Sequence, residues 1–402
     1  MRRRSIPAAL LILTSLLTTS AASVMAADPT IGWKEVNPDA EWSARAGLQV
    51  LESRGRFFLM GGRTPLDPAV VPVPGASTIW GDVWSSADRG RSWRKLTDDA
   101  WPARAYFQAV TKNGSMYVLG GQDFTIIPNP ACAAFLPGPC PPFIPPMVPR
   151  SEFFNDVWRS SNGRDWSRVV EHAPWEGRAG LSSVVLGDWI YVMGGSKNDD
   201  SAIVGPGGPA RVYFNDVWRS RDGETWQQMT SEAEWAARAG AAVVAKDGYI
   251  YLLGGEDGFV CNPSTPRCPP YFNDVWRSRD GAQWQQVTPA AGWSARPGHQ
   301  CVVAVGRIVC FGGFGLPTNP TDMWASRDGM DWVKLRSTAW GATSPDQVKY
   351  DFDALVSYGP LGLPSIYTFG GDRETFDFGN PLNYQRVDND VWRFGVTWTG
   401  SN

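Results

Sequence analysis

"NDVWRSRDGETWQQM", residues 215–229, sets an Asp-Gly turn between two tryptophans, and nearly the same phrase returns as "NDVWRSRDGAQWQQV" at residues 273–287. Asp-Gly between two apolar runs is a turn signal, because the short polar side chain bonds nearby backbone N–H groups and Gly accepts positive φ. A turn that recurs together with its flanking strands signals a repeat, and the repeat has to be traced before domains are counted. A chain of 402 residues would otherwise suggest two or three domains.

Tracing outward, Gly-Gly pairs end apolar runs at Gly61-Gly62, Gly120-Gly121, Gly194-Gly195, Gly254-Gly255, Gly312-Gly313 and Gly370-Gly371. A variable stretch follows each pair, then the phrase with Trp84, Trp158, Trp218, Trp276, Trp324 or Trp392. All but the last copy continue to a second tryptophan (Trp93, Trp166, Trp226, Trp284, Trp332) and then a third (Trp101, Trp175, Trp235, Trp293, Trp340). Each copy has room for four strands, such as "GAAVVA", "YIYLLGG", "DVWRS" and "TWQQM". "WKEVNPDAEW", residues 33–42, matches the spacing of "WQQMTSEAEW", residues 226–235, so the chain opens with a fourth strand that lacks a third. Its partner is "NDVWRF", residues 389–394, and joining the two removes the free edges of an open stack.

Gly-Gly after an apolar strand, followed by spaced aromatics in a four-strand unit, resembles the kelch repeat, and the resemblance spans nearly the whole chain after residue 26. "SADRGRSW", residues 86–93, also resembles the Asp-box turn of sialidases and other propellers; "SRDGETW", "SRDGAQW" and "SRDGMDW" are one residue shorter, and Asn162 replaces Asp in "SSNGRDW". The resemblance implies an all-β, six-bladed kelch-type β-propeller closed by the N-terminal strand joining the last blade, a single domain over residues 27–402. Eighteen of the 21 tryptophans fall at the repeated positions and are expected in the core.

Residues 1–26 read as a secretory signal: Arg2, Arg3 and Arg4, an apolar run from Ala8 to Leu17, and small residues before a cut between Ala26 and Ala27. No later stretch approaches the roughly 20 apolar residues that span a bilayer, so a periplasmic or secreted monomer is expected. The formal charge of −3 gives no reason to expect a nucleic-acid partner. The six cysteines suit export, with pairs expected at Cys132–Cys140, Cys261–Cys268 and Cys301–Cys310.

Function is sought where the copies differ. In an antiparallel meander, the loops between second and third strands share one rim with the start of the first strand. The long stretches 63–81, 122–154, 196–214, 256–272 and 372–388 therefore wall one mouth of the channel. Arg45, Arg104, Arg178, Arg238 and Arg296 reach the same rim from five blades, where guanidiniums can clamp a carboxylate, a sulfate or an acidic peptide. Asp82, Asp156, Asp216, Asp274, Asp322 and Asp390 begin third strands there too, so Arg–Asp pairs within the fold are the competing reading.

The sixth copy breaks the pattern. "GATSPDQVKYDFDALV", residues 341–356, has no arginine and places Lys349, Tyr350, Asp351 and Asp353 near the mouth. Counting back from the apolar strand sets Asp353 opposite His299, a pair suited to acid–base chemistry, while His172 stands alone in a link. Two distant histidines and the lack of H-E-x-x-H and G-x-S-x-G point away from a zinc site or a hydrolase elbow. The expected function is recognition of a protein segment or glycan, possibly acidic, with no cofactor. The alternative is a sugar epimerase, as resemblance to the exported bacterial N-acetylneuraminate epimerase implies, or another glycan-acting enzyme using the same mouth.

Overall fold

In the computed structural model of the protein, the described residues are 32–395 apart from 68, 72–75, 136, 143, 145, 199–210, 259–267, 360–361 and 374–385. The expected signal segment lies outside them, as does Cys261 of the expected Cys261–Cys268 pair.

Several polar residues of the recurring phrase hold the turn and its flanking strands in place. Asn215 Nδ2 donates to the carbonyls of Ala233 and Trp235 at 3.1 and 3.4 Å, fixing the link to the third tryptophan. Asp216 accepts from the indole of Trp218 at 2.8 Å, which explains the D-x-W spacing. Asp222 accepts from the N–H groups of Glu224 and Thr225, each at 2.9 Å, and Trp226 Nε1 donates to the Gly223 carbonyl at 3.0 Å. Gly223 has φ 81°, and a Cβ there would lie 2.9 Å from the ring of Tyr117 in the preceding sheet. Gly163 on Phe58, Gly281 on Tyr191 and Gly329 on Tyr251 repeat the contact. The turn therefore needs Gly for its conformation and for its seat on the neighbouring sheet.

The described residues form six four-stranded antiparallel sheets. Their first strands are Gln49–Ser53, Gln108–Lys112, Ser182–Leu186, Ala242–Lys246, Gln300–Ala304 and Asp353–Tyr358. Each first strand packs on that of the next sheet, and Asp353–Tyr358 packs on Gln49–Ser53. Trp33–Asn37 pairs antiparallel with Val387–Gly395 in the last sheet, with Trp33 opposite Phe394 and Glu35 opposite Trp392. Asn389 Nδ2 donates to the Ala40 carbonyl at 2.9 Å, the bond that Asn215 makes within one stretch of chain. This all-β arrangement fits a β-propeller of kelch-like kind.

The core lies between successive sheets, because each sheet buries both faces against its neighbours. Between the last sheet and the first, Trp42, Phe57 and Leu59 pack with Tyr367, Phe369 and Val391, and the rings of Phe57 and Tyr367 meet edge to face at 5.2 Å. Disulfides join Cys132 to Cys140 and Cys301 to Cys310, the second pair directly opposite on neighbouring strands. Short hairpins leave the Gly-Gly end of three sheets: Arg63–Pro65 with Ser77–Ile79, Gln122–Pro128 with Met147–Phe153, and Ser196–Lys197 with Val212–Tyr213. No described helix is long and apolar enough to cross a membrane.

Candidate functional site

Entry to each first strand is made by a residue with positive φ: Gly47, Tyr106, Gly180, Gly240, Gly298 and Asp351. Their backbones close a cycle in which Tyr106 N–H donates to Gly47, Gly180 to Tyr106, Gly240 to Gly180, Gly298 to Gly240, Asp351 to Gly298 and Gly47 to Asp351, at 2.8 to 3.1 Å. Hydrogen-bonded backbones lie about 5 Å apart, so six of them bound an opening only a few water molecules wide. A Cβ at Gly298 would fall 2.5 Å from Asp351 Oδ1, and one at Gly47 would fall 3.0 Å from the Tyr106 ring. Glycine is thus required both by φ and by the close approach of the next sheet.

Below the cycle, side chains at the start of five of the six first strands reach neighbouring backbone. Gln49 Oε1 accepts from Ala109 N–H at 3.0 Å, Gln108 Oε1 from Ser183 at 3.3 Å, and Asp353 Oδ2 from Val50 at 2.5 Å. Ser182 Oγ donates to Ala241 at 2.7 Å, and Gln300 Nε2 to Phe352 at 2.9 Å. Gln49, Gln108, Ser182 and Gln300, with the cycle above them, line a cavity of about 110 Å³, and Asp353 lies outside that lining. Burial pushes the Asp353 carboxyl up to about 7 against its bonds from Val50 and Ala354, which favour the carboxylate.

The five arginines serve the fold. Arg238 donates to both oxygens of Asp274 at 2.6 and 3.0 Å and to the Gly254 and Ala236 carbonyls at 2.9 Å. Arg45, Arg104 and Arg178 hold Asp82, Asp156 and Asp216 in the same bidentate way, and Arg296 holds Asp322 through one oxygen. All five arginines are at most 2% exposed. The rings of Trp80, Phe154, Phe214 and Phe272 stack on Arg45, Arg104, Arg178 and Arg238 at 3.7 to 4.8 Å, and so cover these guanidiniums. The arginine backbones join the sheets, since the second glycine of each pair donates to the corresponding carbonyl of the next sheet, from Gly62 to Arg104 around to Gly371 to Arg45.

In that series Gly313 donates to Lys349, so lysine takes the arginine's place in the last sheet. Its ammonium lies 3.0 Å from Asp388 and also binds Asp390. Tyr350 is buried against Phe314 at 5.3 Å. The expected His299–Asp353 register is off by one residue: Gly254 and Gly312 pack against His299 and Phe352 respectively, so Phe352 is the counterpart of His299, and Asp353 is that of Gln300. The miscount arises because Asp351 stands where glycine marks four of the other five copies. Of the ten residues expected at the mouth, Asp351 alone is more than 9% exposed.

His299 fills a position held elsewhere by Leu48, Phe107, Leu181 and Phe352. Neither ring nitrogen makes a well-formed hydrogen bond among the described residues, and burial, with Arg296 nearby, pushes its pKa from 6.5 down to about 3. The unfolded chain therefore takes up a proton below about 6.5 that the folded chain refuses until about 3, and stability falls across that window as the pH drops. His299→Phe is expected to raise stability by about 1–2 kcal/mol at pH 7, by removing unpaired buried polar atoms. The gain should widen at pH 5, and thermal unfolding of both proteins at the two pH values checks it.

Three mouth residues lie outside the sequence expectations. Tyr106 lies over Gly47, and its hydroxyl accepts from Arg63 Nε at 2.5 Å. Arg63 NH2 binds Asp372 Oδ2 at 2.6 Å. Asp372 Oδ1 is buried without a hydrogen-bond partner among the described residues. Burial pushes this carboxyl up to about 6; Arg63 opposes the shift and Asp388 adds to it. The signals were present: Tyr106 ends "PARAY" where most copies have "RAG" or "RPG", and Arg63 and Asp372 directly follow Gly-Gly pairs. Among the described residues no group of His, Cys, Asp and Glu is placed to hold a metal ion.

No protein-family model matches the sequence. The fold is similar to the solved structure of YjhT, with a TM-score of 0.60 over 90% of this chain and 97% of that one, at 16% sequence identity.

Proposed function

We propose that the chain is an exported, monomeric, six-bladed kelch-type propeller, closed by the strand Trp33–Asn37, whose loop-walled mouth recognises a protein segment or glycan. The observation that carries the reading is the placement of Tyr106 (φ 54°) and Asp351 (φ 50°) in a backbone cycle whose other four members are glycine. A left-handed conformation costs an L-residue about 1–2 kcal/mol. Glycine closes the cycle elsewhere, so a phenol and a carboxylate held there under strain point to a task at the mouth. Beside Arg63 they offer one stacking surface, one cation and one anion, which suits a ligand rich in hydroxyl or amide groups. The signal-like N-terminus and the two disulfides support export.

A glycan array combined with pull-down from the native envelope identifies the ligand. Tyr106→Gly is then expected to weaken binding at least tenfold. Its stability should stay within about 1 kcal/mol of the parent, because relief of strain offsets lost packing. Equal affinity of the two proteins would reject the mouth as the site.

Asp372, held near 6 and linked through Arg63 to the Tyr106 hydroxyl, favours sugar mutarotation as a second reading. It requires faster interconversion of the anomers of a reducing sugar, read by NMR exchange, in the parent but not in Tyr106→Phe.

A further inference from the structure

The hairpin Gln122–Pro128 with Met147–Phe153 stands outside the four-stranded sheets and carries a tip of unusual composition. From Phe124 to Pro149, 26 consecutive residues hold no charged side chain, and nine of them are proline. Phe135 is 43% and Met147 40% exposed, and Pro137, Pro139, Pro142 and Pro146 are exposed beside them. The neighbouring hairpin, whose strand Ser77–Ile79 packs on Gln122–Pro128, carries Val70 at 76% exposure. The tip is braced by the Cys132–Cys140 disulfide and by bonds from Asn129 N–H to Pro146, Cys132 to Asn129, Gly138 to Phe135 and Ile144 to Pro141.

Exposed apolar surface of this kind marks contact with a protein or a membrane, and the backbone decides between them. Lipid tolerates neither charge nor unbonded backbone donors, whereas a protein partner can supply compensating groups. Here charge is absent, proline removes many donors outright, and several others are bonded within the tip. The nearest charge on the returning strand is the exposed Arg150, paired in register with Thr125. It stands three residues beyond Met147, about 10 Å at roughly 3.3 Å per residue. Interfacial segments bury their apolar groups about 5–10 Å deep, so a tip immersed to Met147 brings the guanidinium to the level of the lipid phosphates.

We propose that this tip is an interfacial anchor that holds the mouth side of the molecule against an anionic phospholipid surface. The proposal is independent of what the mouth itself binds. The test is flotation of the chain from Ala27, the product of the expected cleavage, with vesicles of phosphatidylethanolamine and phosphatidylglycerol (three to one), beside vesicles of phosphatidylcholine. The parent is expected to float with the anionic vesicles. Phe135→Ser combined with Met147→Ser should lower the partition coefficient at least tenfold at an unchanged melting temperature, because both side chains are exposed. Arg150→Glu should weaken binding to the anionic vesicles more than to the neutral ones. No flotation of the parent, or equal flotation of the double variant, overturns the proposal. So does a protein partner captured through Phe135 and Met147 in the absence of vesicle binding.

Discussion

Deleting residues 27–37 is expected to lower stability by on the order of 5–8 kcal/mol, a loss comparable to the whole margin of many domains. The strand Trp33–Asn37 contributes its ladder to Val387–Gly395 and packs the half-buried Trp33 against Phe311, Trp340 and Phe394 at 5.2 to 5.7 Å. Losing a fully buried tryptophan costs about 3–5 kcal/mol and a half-buried one roughly half of that, and each ladder bond adds about 0.5–1.5 kcal/mol. The shortened chain also exposes Val387–Gly395 as a free edge, which invites pairing with other chains. Thermal unfolding and size-exclusion chromatography check both effects, and a synthetic peptide of residues 32–42 should restore part of the stability by adding the strand back. An unchanged melting temperature would mean that a segment after Gly395 closes the last sheet instead.

Arg238→Ala should cost about 3–5 kcal/mol, because it leaves a buried carboxylate without its partner. Asp274 would keep only the indole of Trp276, 2.8 Å away, and the Gly254 and Ala236 carbonyls would lose a donor. Arg238→Ala combined with Asp274→Ala should be less damaging than the single change, since the stranded charge goes too. A ligand-binding arginine would behave in the opposite way, leaving stability nearly intact while binding weakens with rising salt. Thermal unfolding of the single and double variants separates the two roles.

The repeat, the four-strand unit, the pairing of the two chain ends and two disulfides were legible in the sequence, because Gly-Gly pairs and tryptophans are fixed by local backbone needs. The Arg–Asp pairs were legible as one of two readings of the arginines, but what decides between the readings was not. "SARAG" shows a cation at the rim, but the aromatic ring above it and the aspartate below it come from residues that only the folded sheet brings together. The last copy misled most. Lys349 replaces arginine, and Asp351 replaces glycine at the one marker that would have set the register, so His299 and Asp353 looked like partners. Arg63 and Asp372 are 309 residues apart and meet only across the seam between first and last sheets, which no local pattern announces.

The cycle of backbone bonds through Gly47, Tyr106, Gly180, Gly240, Gly298 and Asp351 runs in one sense, each N–H pointing to the carbonyl of the preceding sheet. Dipoles arranged head to tail around a closed loop cancel as vectors, unlike the aligned peptide dipoles of a helix, which add along its axis. The scaffold thus presents an electrically silent collar. The field that an approaching molecule meets is set by the few side chains mounted on and beside it, chiefly Arg63 and Asp351. A single substitution at Asp351 changes the charge of the mouth and leaves the backbone cycle in place, whereas one at Arg63 also strands the buried Asp372.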